Sequence, residues 1–458
     1  MVEMVGFNFP SEIYQNIFEN LDTKSLSSSI LVNRVWCLNS IKILWKDPFS
    51  VLHENPSSNF QLRTLSIIQT YIYCLSDEIK SQLILDKVPI DKLRPTFEYT
   101  SFLCVLHLPD LYNSIGSWLA QYHINIRRDG FQHKLLMKEL CKLFLIQCKE
   151  LKALDFSGVP NIRHLIHHKN NIRDYEIFFE LPGVISYFKN LQYFRCKDDF
   201  PSRMLISLAS LANNIFTLDI TRKKDNEGLV ELINTQENLR HFKFKTYKMN
   251  LLQVVRELQK KSSTLRKVKF NGGCSIPLDF LYQLTKLEKL SLHNSQMTVN
   301  GNVDLFKTIY LNNLIELKIS LEDQFVQHYI SLIQNTKGSL KVIKMIFKNP
   351  KDPKNLPLLF KTIMNCCPNL INIHIYIPNK IIFEILNFFR KCPLLEIVIF
   401  TGDNLDISNI LLKIVPVLPY KMKTLNLGFP TWEASTKTID EFRAKVSSTI
   451  DITIMQKF

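Results

Sequence analysis

One short apolar phrase recurs eleven times between Leu151 and Leu427. It consists of an apolar residue, two free positions, an apolar residue, one free position and a third apolar residue. After a first interval of 40 residues, successive phrases start 22 to 30 residues apart. A repeat of this length predicts a stack of similar units, each burying its apolar side only against its neighbours. The phrases begin at Leu151, Leu191, Ile215, Leu239, Leu265, Leu287, Leu314, Leu340, Leu370, Leu395 and Met422.

The phrases resemble the leucine-rich repeat, and they cover more than half of the chain. Each phrase predicts a short strand, and the residues after it show the three- and four-residue apolar spacing of a helix. We therefore predict an α/β repeat fold, a solenoid with parallel strands on a concave face and helices on a convex face. Helices are expected at residues 204–213, 251–260, 325–334, 358–367 and 381–391, with a last helix at 435–447 covering the end.

Residues 7–49 predict a module of three short helices. The first helix carries an apolar stripe, in which Ile13, Ile17 and Leu21 recur every four residues. Asp22 or Thr23 can cap the second helix, and the third is expected to stop before a proline. Three helices in about 40 residues bury too little surface to be stable alone. We therefore expect the module to present a surface that another chain completes.

The order of apolar anchors in this module resembles the F-box. The sequence departs from the usual pattern at Phe9, where leucine is common, and at Ser25, where an acidic residue is common. The resemblance implies that the module binds a Skp-type adaptor and, through it, a cullin–RING ubiquitin ligase. The alternative is that Ile13, Phe18 and the tryptophans only pack the module against the helices that follow. The residues that occupy the anchor positions, and that the resemblance implies bind the adaptor, are Phe9, Pro10, Glu12, Ile13, Ile17, Phe18, Leu21, Leu26, Val32, Trp36 and Trp45.

Helical periodicity marks the region between this module and the repeats, which we expect to lack strand phrases. Helices are expected there near residues 62–74, 111–122 and 131–148. This region is interpreted as helical packing that caps the first repeat. The predicted domain organisation is an F-box at 1–49, a helical linker and cap at 50–147, leucine-rich repeats at 148–429 and a C-terminal cap helix at 430–458.

The outward positions of the repeat strands are rich in lysine. Because strand side chains alternate between faces, the residues between the apolar anchors point away from the core. From the Leu239 phrase to the Leu340 phrase, these positions hold seven lysines and one acidic residue, Glu316. With strands about 4.8 Å apart, we predict one continuous basic stripe that binds an acidic or phosphorylated protein substrate. The predicted substrate-binding residues are Arg195, His241, Lys243, Lys245, Lys267, Lys269, Lys289, Lys318 and Lys344.

Two other interpretations of the basic stripe stay open. Lysines on a sheet face can serve only to keep that face solvated. Nucleic acid is a less favoured partner, because Tyr193 and Tyr376 are the only outward aromatic residues of note and are too sparse for base stacking. The positive charge lies beyond residue 60: residues 1–60 contain four Lys or Arg and six Asp or Glu, a balance of −2, so the rest of the chain carries +17 and the net is +15.

Composition disfavours an enzyme. The chain has 12 glycines, and no spacing among them matches a phosphate-binding loop. Its ten cysteines include no CxxC pair, which favours free thiols in a reducing compartment. His164 and His168 have a spacing that can chelate zinc, but their surroundings favour a solvated basic loop. We expect no catalytic residues, cofactor or metal, no membrane segment or signal peptide, and a location in the cytoplasm, the nucleus or both.

These observations predict the substrate-recognition subunit of a Skp–cullin–F-box (SCF) ubiquitin ligase, in which the F-box binds the adaptor and the concave strand face binds the substrate. One alternative is a repeat scaffold that uses its F-box without ubiquitination. The other is a basic solenoid that binds nucleic acid.

Overall fold

The chain forms two compact units, which we describe one at a time. The first contains Met1–Leu218 with Thr235–Glu237, and the second contains Asp219–Asn234 with Asn238–Phe458. The four-segment organisation inferred from the sequence stays a prediction. The computed structural model describes residues 10–50, 60–122, 130–157, 188–197, 200–222, 227–246, 251–272, 275–293, 296–298, 310–321, 326–347, 355–428 and 431–456.

The first unit begins with the three predicted short helices. The side chain of Asp22 caps the second helix by accepting a hydrogen bond from the backbone N–H of Ser25 at 2.7 Å. Asn33 caps the third in the same way, accepting from the N–H of Trp36 at 2.9 Å. The three helices are α1 (Ser11–Phe18), α2 (Thr23–Ser29) and α3 (Arg34–Leu44).

Five further helices and three strands follow in the first unit. The strands pair in parallel, with Leu106 opposite Leu154 and Leu154 opposite Phe194. The helices are α4 (Phe60–Tyr73), α5 (Asp77–Leu85), α6 (Leu108–Ala120), α7 (Phe131–Gln147) and α8 (Ser202–Leu211). The strands are β1 (Val105–His107), β2 (Ala153–Asp155) and β3 (Tyr193–Cys196).

Strand β1 corrects the prediction that the region before Leu151 lacks a strand phrase. Leu103, Leu106 and Leu108 have the same spacing as the eleven phrases, and all three side chains are buried. The repeat series therefore starts one phrase earlier than predicted. The interval of 48 residues to the next phrase, which contains α6 and α7, hides it from a search at a fixed period.

The second unit continues the series of parallel strands. Strand β4 (Thr217–Arg222) crosses the boundary between the units along the chain. Among the described residues, thirteen strands belong to the parallel series, and a strand is present at every one of the eleven predicted phrases. The other strands of the series are β5 (His241–Thr246), β6 (Lys267–Asn271), β8 (Lys289–His293), β10 (Glu316–Leu321), β11 (Val342–Phe347), β12 (Asn372–Tyr376), β13 (Ile397–Thr401), β15 (Thr424–Leu427) and β17 (Asp451–Thr453).

Helices and two minor sheets complete the second unit. One minor sheet pairs β7 (Ser275–Pro277) with β9 (Gln296–Thr298) in parallel. The other has the order β14 (Leu405–Asp406), β16 (Trp432–Ala434) and β18 (Met455–Gln456). The helices are α9 (Glu227–Thr235), which ends in the first unit, α10 (Leu252–Lys260), α11 (Val326–Gln334), α12 (Leu356–Cys366), α13 (Glu384–Lys391), α14 (Ser408–Ile414) and α15 (Thr436–Lys445).

The predicted α/β solenoid with a helical N-terminal region is confirmed. The three apolar anchors of every phrase are buried, as Leu287, Leu290 and Leu292 illustrate with no exposed surface. Burying such side chains contributes about 1.5–3 kcal/mol each relative to leaving them exposed. One detail differs at the end, because β17 follows the predicted cap helix and pairs in parallel with β15. The strand series therefore continues past α15.

A recurring side-chain hydrogen bond links neighbouring repeats of the second unit. The residue directly before a phrase donates to a backbone carbonyl near the start of the preceding phrase. Thr264 donates to Leu239 at 2.9 Å, and Ser339 donates to Leu314 at 2.7 Å. Asn313 and Asn369 donate in the same way to Thr285 and Gly338. These bonds satisfy carbonyls that the turns leave open, which accounts for the position of Asn313 and Asn369 directly before strand phrases.

Candidate binding surfaces

The three-helix module has a small core of its own. Tyr14, Phe18 and Leu26 are buried, and Trp36 packs against them. The rings of Phe18 and Trp36 meet edge to face with 5.2 Å between centroids. This arrangement stabilises the module core beyond the contribution of buried apolar area, because the electropositive edge of one ring meets the electronegative face of the other.

The same module leaves an unusual amount of apolar surface exposed. Ile13 and Ile17 are 43% and 50% exposed, although they precede the buried Tyr14 and Phe18 by one residue each. Because adjacent residues lie about 100° apart around a helix, α1 has an inner apolar side and an outer apolar side. Sequence reasoning missed Leu31, which is 87% exposed. The exposed apolar set consists of Ile13, Ile17, Leu21, Leu31, Val32 and Leu38.

The structure divides the predicted adaptor-binding residues by burial. Pro10 and Glu12 are exposed together with Ile13, Ile17, Leu21 and Val32. Phe9 lies outside the described residues.

Four of the residues predicted to contact the adaptor pack inside the chain. Phe18 and Leu26 are core residues, and Trp36 is half-buried against them. Trp45 packs on Tyr71 and Tyr99, with ring centroids 5.2 Å and 4.4 Å away. These side chains are therefore packed in the free chain, whereas Ile13 is 43% exposed.

A charged network in the first unit joins Asp47, at the end of the three-helix module, to strands β1, β2 and β3. His107 on β1 lies between two carboxylates, 3.6 Å from Asp47 and 3.6 Å from Asp155. Asp155 also pairs with Arg195 at 3.5 Å. The carboxylates of Asp155 and Asp47 raise the pKa of His107 to about 10, so this imidazole is protonated at neutral pH. Arg195, predicted to bind substrate, has an ion-pairing role in this network.

The outward lysines of the second unit lie in register across five strands. In the middle row Lys243 faces Lys269, Lys269 faces Ser291, and Ser291 faces Lys318, which in turn faces Lys344. In the row before it, His241 faces Lys267, Lys267 faces Lys289, and Lys289 faces Glu316. We call this surface the lysine face; its lysines are Lys243, Lys245, Lys267, Lys269, Lys289, Lys318 and Lys344.

Two carboxylates pair with lysines of the lysine face. Asp219 pairs with Lys243 at 3.4 Å. Glu316 holds Lys318 at 2.7 Å and Lys289 at 3.6 Å. The spacing of outward positions shows which residues share the face, but not which lysine a flexible carboxylate will contact.

Lys267, Lys269 and Lys344 keep their charge without a carboxylate within ion-pair distance in the described part of the chain. The positive charge is therefore concentrated near β6 and β11.

The electrostatic field of the lysine face depresses the pKa of its own basic groups. Partial burial, followed by the charges of Lys243 and Lys289, lowers the pKa of Lys267. Partial burial, followed by Lys269, Lys344 and Lys318, lowers the pKa of His293. This mutual repulsion is unfavourable in the free protein, and a bound anion would relieve it.

The structure brings no metal-ligand group together among the residues it describes. His164 and His168 lie outside those residues. Burial raises the pKa of the Cys141, Cys148 and Cys392 thiols to about 12, so they are protonated and poor nucleophiles at neutral pH. None of the described helices is long and apolar enough to cross a membrane.

No protein-family model matches the chain, and no curated protein matches it. Similar solved structures include the yeast Rad7 and Elc1 complex, at 16% identity, a TM-score of 0.38 and coverage of 96% of both chains. A leucine-rich-repeat protein of Leptospira interrogans is 13% identical, with a TM-score of 0.32, over 70% of this chain and 92% of that one. An internalin of Listeria monocytogenes is 12% identical, with a TM-score of 0.32, over 69% and 88%. Because these TM-scores are low, the fold assignment rests on the strand register and the buried anchors.

Proposed function

We propose that this chain is the substrate-recognition subunit of an SCF-type ubiquitin ligase. The observation that carries the proposal is the exposed apolar set on the three-helix module. A small module gains stability by burying its large apolar side chains, yet Ile13, Ile17, Leu31 and Val32 stay largely in solvent. Apolar side chains grouped on one short segment are typical of a surface that a partner covers.

A Skp-type adaptor is the partner that the order of residues favours. Pro10, Glu12, Ile13 and Ile17 match the F-box pattern and are exposed. Phe18 and Leu26 match it as well, and their place in the core holds the exposed residues in position. The adaptor would link the module to a cullin–RING ligase.

The lysine face supports the second half of the proposal, recognition of an acidic or phosphorylated protein substrate. Seven lysines on neighbouring strands create a positive potential that a solvated surface of mixed charge would lack. The chain would carry out no chemistry itself. By holding a target near the ligase, it would raise the effective concentration of the target's lysines at the ubiquitin donor.

The proposal includes the predicted order of segments, with the F-box at 1–49, the linker at 50–147, the repeats at 148–429 and the cap at 430–458. It also places the protein where such ligases work, in the cytoplasm, the nucleus or both.

The direct test is reconstitution from purified components. The full chain is mixed with a recombinant Skp-type adaptor, and the mixture is analysed by gel filtration before and after a cullin–RING core is added. We expect a complex of equal stoichiometry that the core joins and that transfers ubiquitin to the chain itself or to a bound target. An adaptor complex that the core joins without any ubiquitin transfer would favour the scaffold alternative. Separate elution of chain and adaptor would refute the F-box assignment.

A further inference from the structure

A cavity of about 460 Å³ opens on the surface of the first unit. One side of it is formed by the end of a strap, residues 88–98, which has no helix or strand and leads into the turn Tyr99–Phe102. The other side is the C-terminal end of α7, and Cys74, directly after α4, also lines the cavity. We call it the strap cavity. Its volume lies in the range of small-molecule sites in proteins, roughly 300–1,000 Å³.

The strap is held in place by two neighbouring residues. The side chain of Lys80, only 1% exposed, donates to the backbone carbonyls of Leu93 and Tyr73 at 2.9 Å each. The guanidinium group of Arg94 pairs with Asp77 at 2.6 Å. These contacts tie the strap to α4 and α5. A site whose sides are already fixed in the free protein loses little conformational entropy when a ligand binds.

The strap side of the cavity presents hydrogen-bond acceptors. Among the described residues, the exposed carboxylate of Glu98 has no cation within ion-pair distance. The hydroxyl of Ser101 donates to the backbone carbonyl of Glu98 at 2.7 Å, so its oxygen is left to accept. An acceptor carboxylate and an acceptor hydroxyl together suit a positively charged group that donates.

The α7 side presents donors instead. The exposed ammonium group of Lys149 has no carboxylate within ion-pair distance in the part of the chain that the structure describes. The hydroxyl of Thr100 donates to the side-chain oxygen of Gln147, which leaves the amide N–H groups of Gln147 for a ligand. These donors suit a carboxylate.

The two charges of the cavity do not satisfy each other. Glu98 and Lys149 line the same space but are too far apart for an ion pair. Nearby in the sequence, Glu150 and Lys152 pair at 3.3 Å outside the cavity. One ligand that carries both a positive and a negative group would satisfy both sides at once. Ile146, 58% exposed, adds apolar surface to the cavity.

We propose that the strap cavity binds a small zwitterion, a dipeptide with one apolar side chain. Its ammonium group contacts Glu98 and Ser101, and its carboxylate contacts Lys149 and Gln147. A space of this volume is about 8 Å across if treated as a cube, and two extended residues span about 7 Å. The thiol of Cys74 adds no charge, because burial raises its pKa to about 11. This inference does not depend on the proposed ligase function.

The test is a titration of the purified full chain with glycyl-leucine, followed by saturation-transfer difference NMR. Three related probes are titrated in the same way: N-acetyl-glycyl-leucine, which lacks the ammonium group, glycyl-leucinamide, which lacks the carboxylate, and free leucine, whose two charges are closer together. We expect a dissociation constant of about 1 mM for glycyl-leucine. Each related probe should bind at least about fivefold more weakly, because it satisfies only one side of the cavity or cannot span it.

Variants assign each charge of the ligand to one side of the cavity. Glu98→Gln should weaken glycyl-leucine binding about fivefold and leave the affinity for the acetylated dipeptide unchanged. Lys149→Gln should have the same effect on glycyl-leucine and none on glycyl-leucinamide. The matched control is Glu150→Gln with Lys152→Gln, which removes the same two charges outside the cavity and should change the affinity less than about twofold. Circular dichroism checks that each variant is folded.

Four results would overturn the proposal. The first is the absence of saturation by glycyl-leucine below about 20 mM. The second is binding of the acetylated or amidated dipeptide as tightly as glycyl-leucine, since the ligand charges would then make no difference. The third is equal binding of free leucine, which would contradict the span of two residues. The fourth is a loss of affinity in the control pair as large as that in Glu98→Gln.

Discussion

Helix α1 and strand β8 each carry two adjacent residues that face different sides, and they show two different kinds of surface. On α1 the exposed Ile17 is as apolar as the buried Phe18 beside it. On β8 the buried Leu290 is followed by Ser291, whose side chain lies on the lysine face. On β8, polarity reports which side a residue faces. In the three-helix module it does not, because an apolar residue there either fills the core or remains exposed, where we propose that a partner covers it.

The largest expected loss of stability comes from a substitution on the inner side of β8. Replacing Leu290 with Asp would bury a carboxylate between repeats and should lower the free energy of unfolding by more than about 4 kcal/mol. Ser291→Asp should be tolerated, since its carboxylate would lie between Lys269 and Lys318. Urea denaturation of both variants measures the difference. Equal damage from the two substitutions would show that the assignment of inner and outer sides is wrong.

Substitutions of the adjacent residues Ile17 and Phe18 of α1 should also differ in their effect on stability, but the difference should be smaller than on β8. Phe18→Ala removes a buried ring from the module core and should cost about 3–5 kcal/mol of local stability. Ile17→Ala should change stability by no more than about 0.5 kcal/mol, because half of its side chain is already in solvent. Hydrogen exchange of the α1–α3 amides reports both values. A large stability loss for Ile17→Ala would mean that Ile17 belongs to the core.

The sequence predicted the repeats better than the surfaces for a physical reason. A strand phrase fixes three buried positions by alternation alone, so every predicted strand was found. Strand β1 was missed because its distance to the next phrase does not fit the period. The burial of Phe18 and the exposure of Ile17 depend on how α1 packs on α3, which spacing in one helix does not determine. The pairing of Glu316 with two lysines depends on side-chain conformations that no pattern encodes.

The charged network around His107 should make the first unit sensitive to alkaline pH. A histidine whose pKa is raised in the folded state stabilises fully below its ordinary pKa of 6.5, and this stability is lost as the pH rises through about 10. His107→Gln should cost about 1–3 kcal/mol at pH 7. The difference between wild type and variant should shrink above pH 10, as followed by thermal unfolding of the two proteins. A difference that stays constant from pH 6 to pH 10.5 would contradict this assignment.

The smallest effect concerns repulsion within the lysine face. Lys267 faces Lys289 directly, and like charges opposite each other on neighbouring strands are destabilising. Lys267→Gln should therefore raise the free energy of unfolding by about 0.2–0.5 kcal/mol at low salt. The exposed Lys341 outside the face is the control, and Lys341→Gln should have no effect. The gain should vanish in 1 M salt, where the repulsion is screened. A gain that persists there would have a cause other than charge.

The central claim is that the exposed apolar side of α1 binds a Skp-type adaptor, and the affinity of that complex tests it most directly. Isothermal titration calorimetry compares the wild-type chain, Ile13→Ala with Ile17→Ala, and the control Gln15→Ala with Asn16→Ala on the same helix. Interface anchors cost about 2 kcal/mol each on truncation, so we expect the apolar pair to weaken binding roughly a thousandfold. The polar pair should change the affinity less than about threefold. An unchanged dissociation constant in the folded Ile13→Ala, Ile17→Ala variant would contradict the assignment of this surface and the function proposed from it.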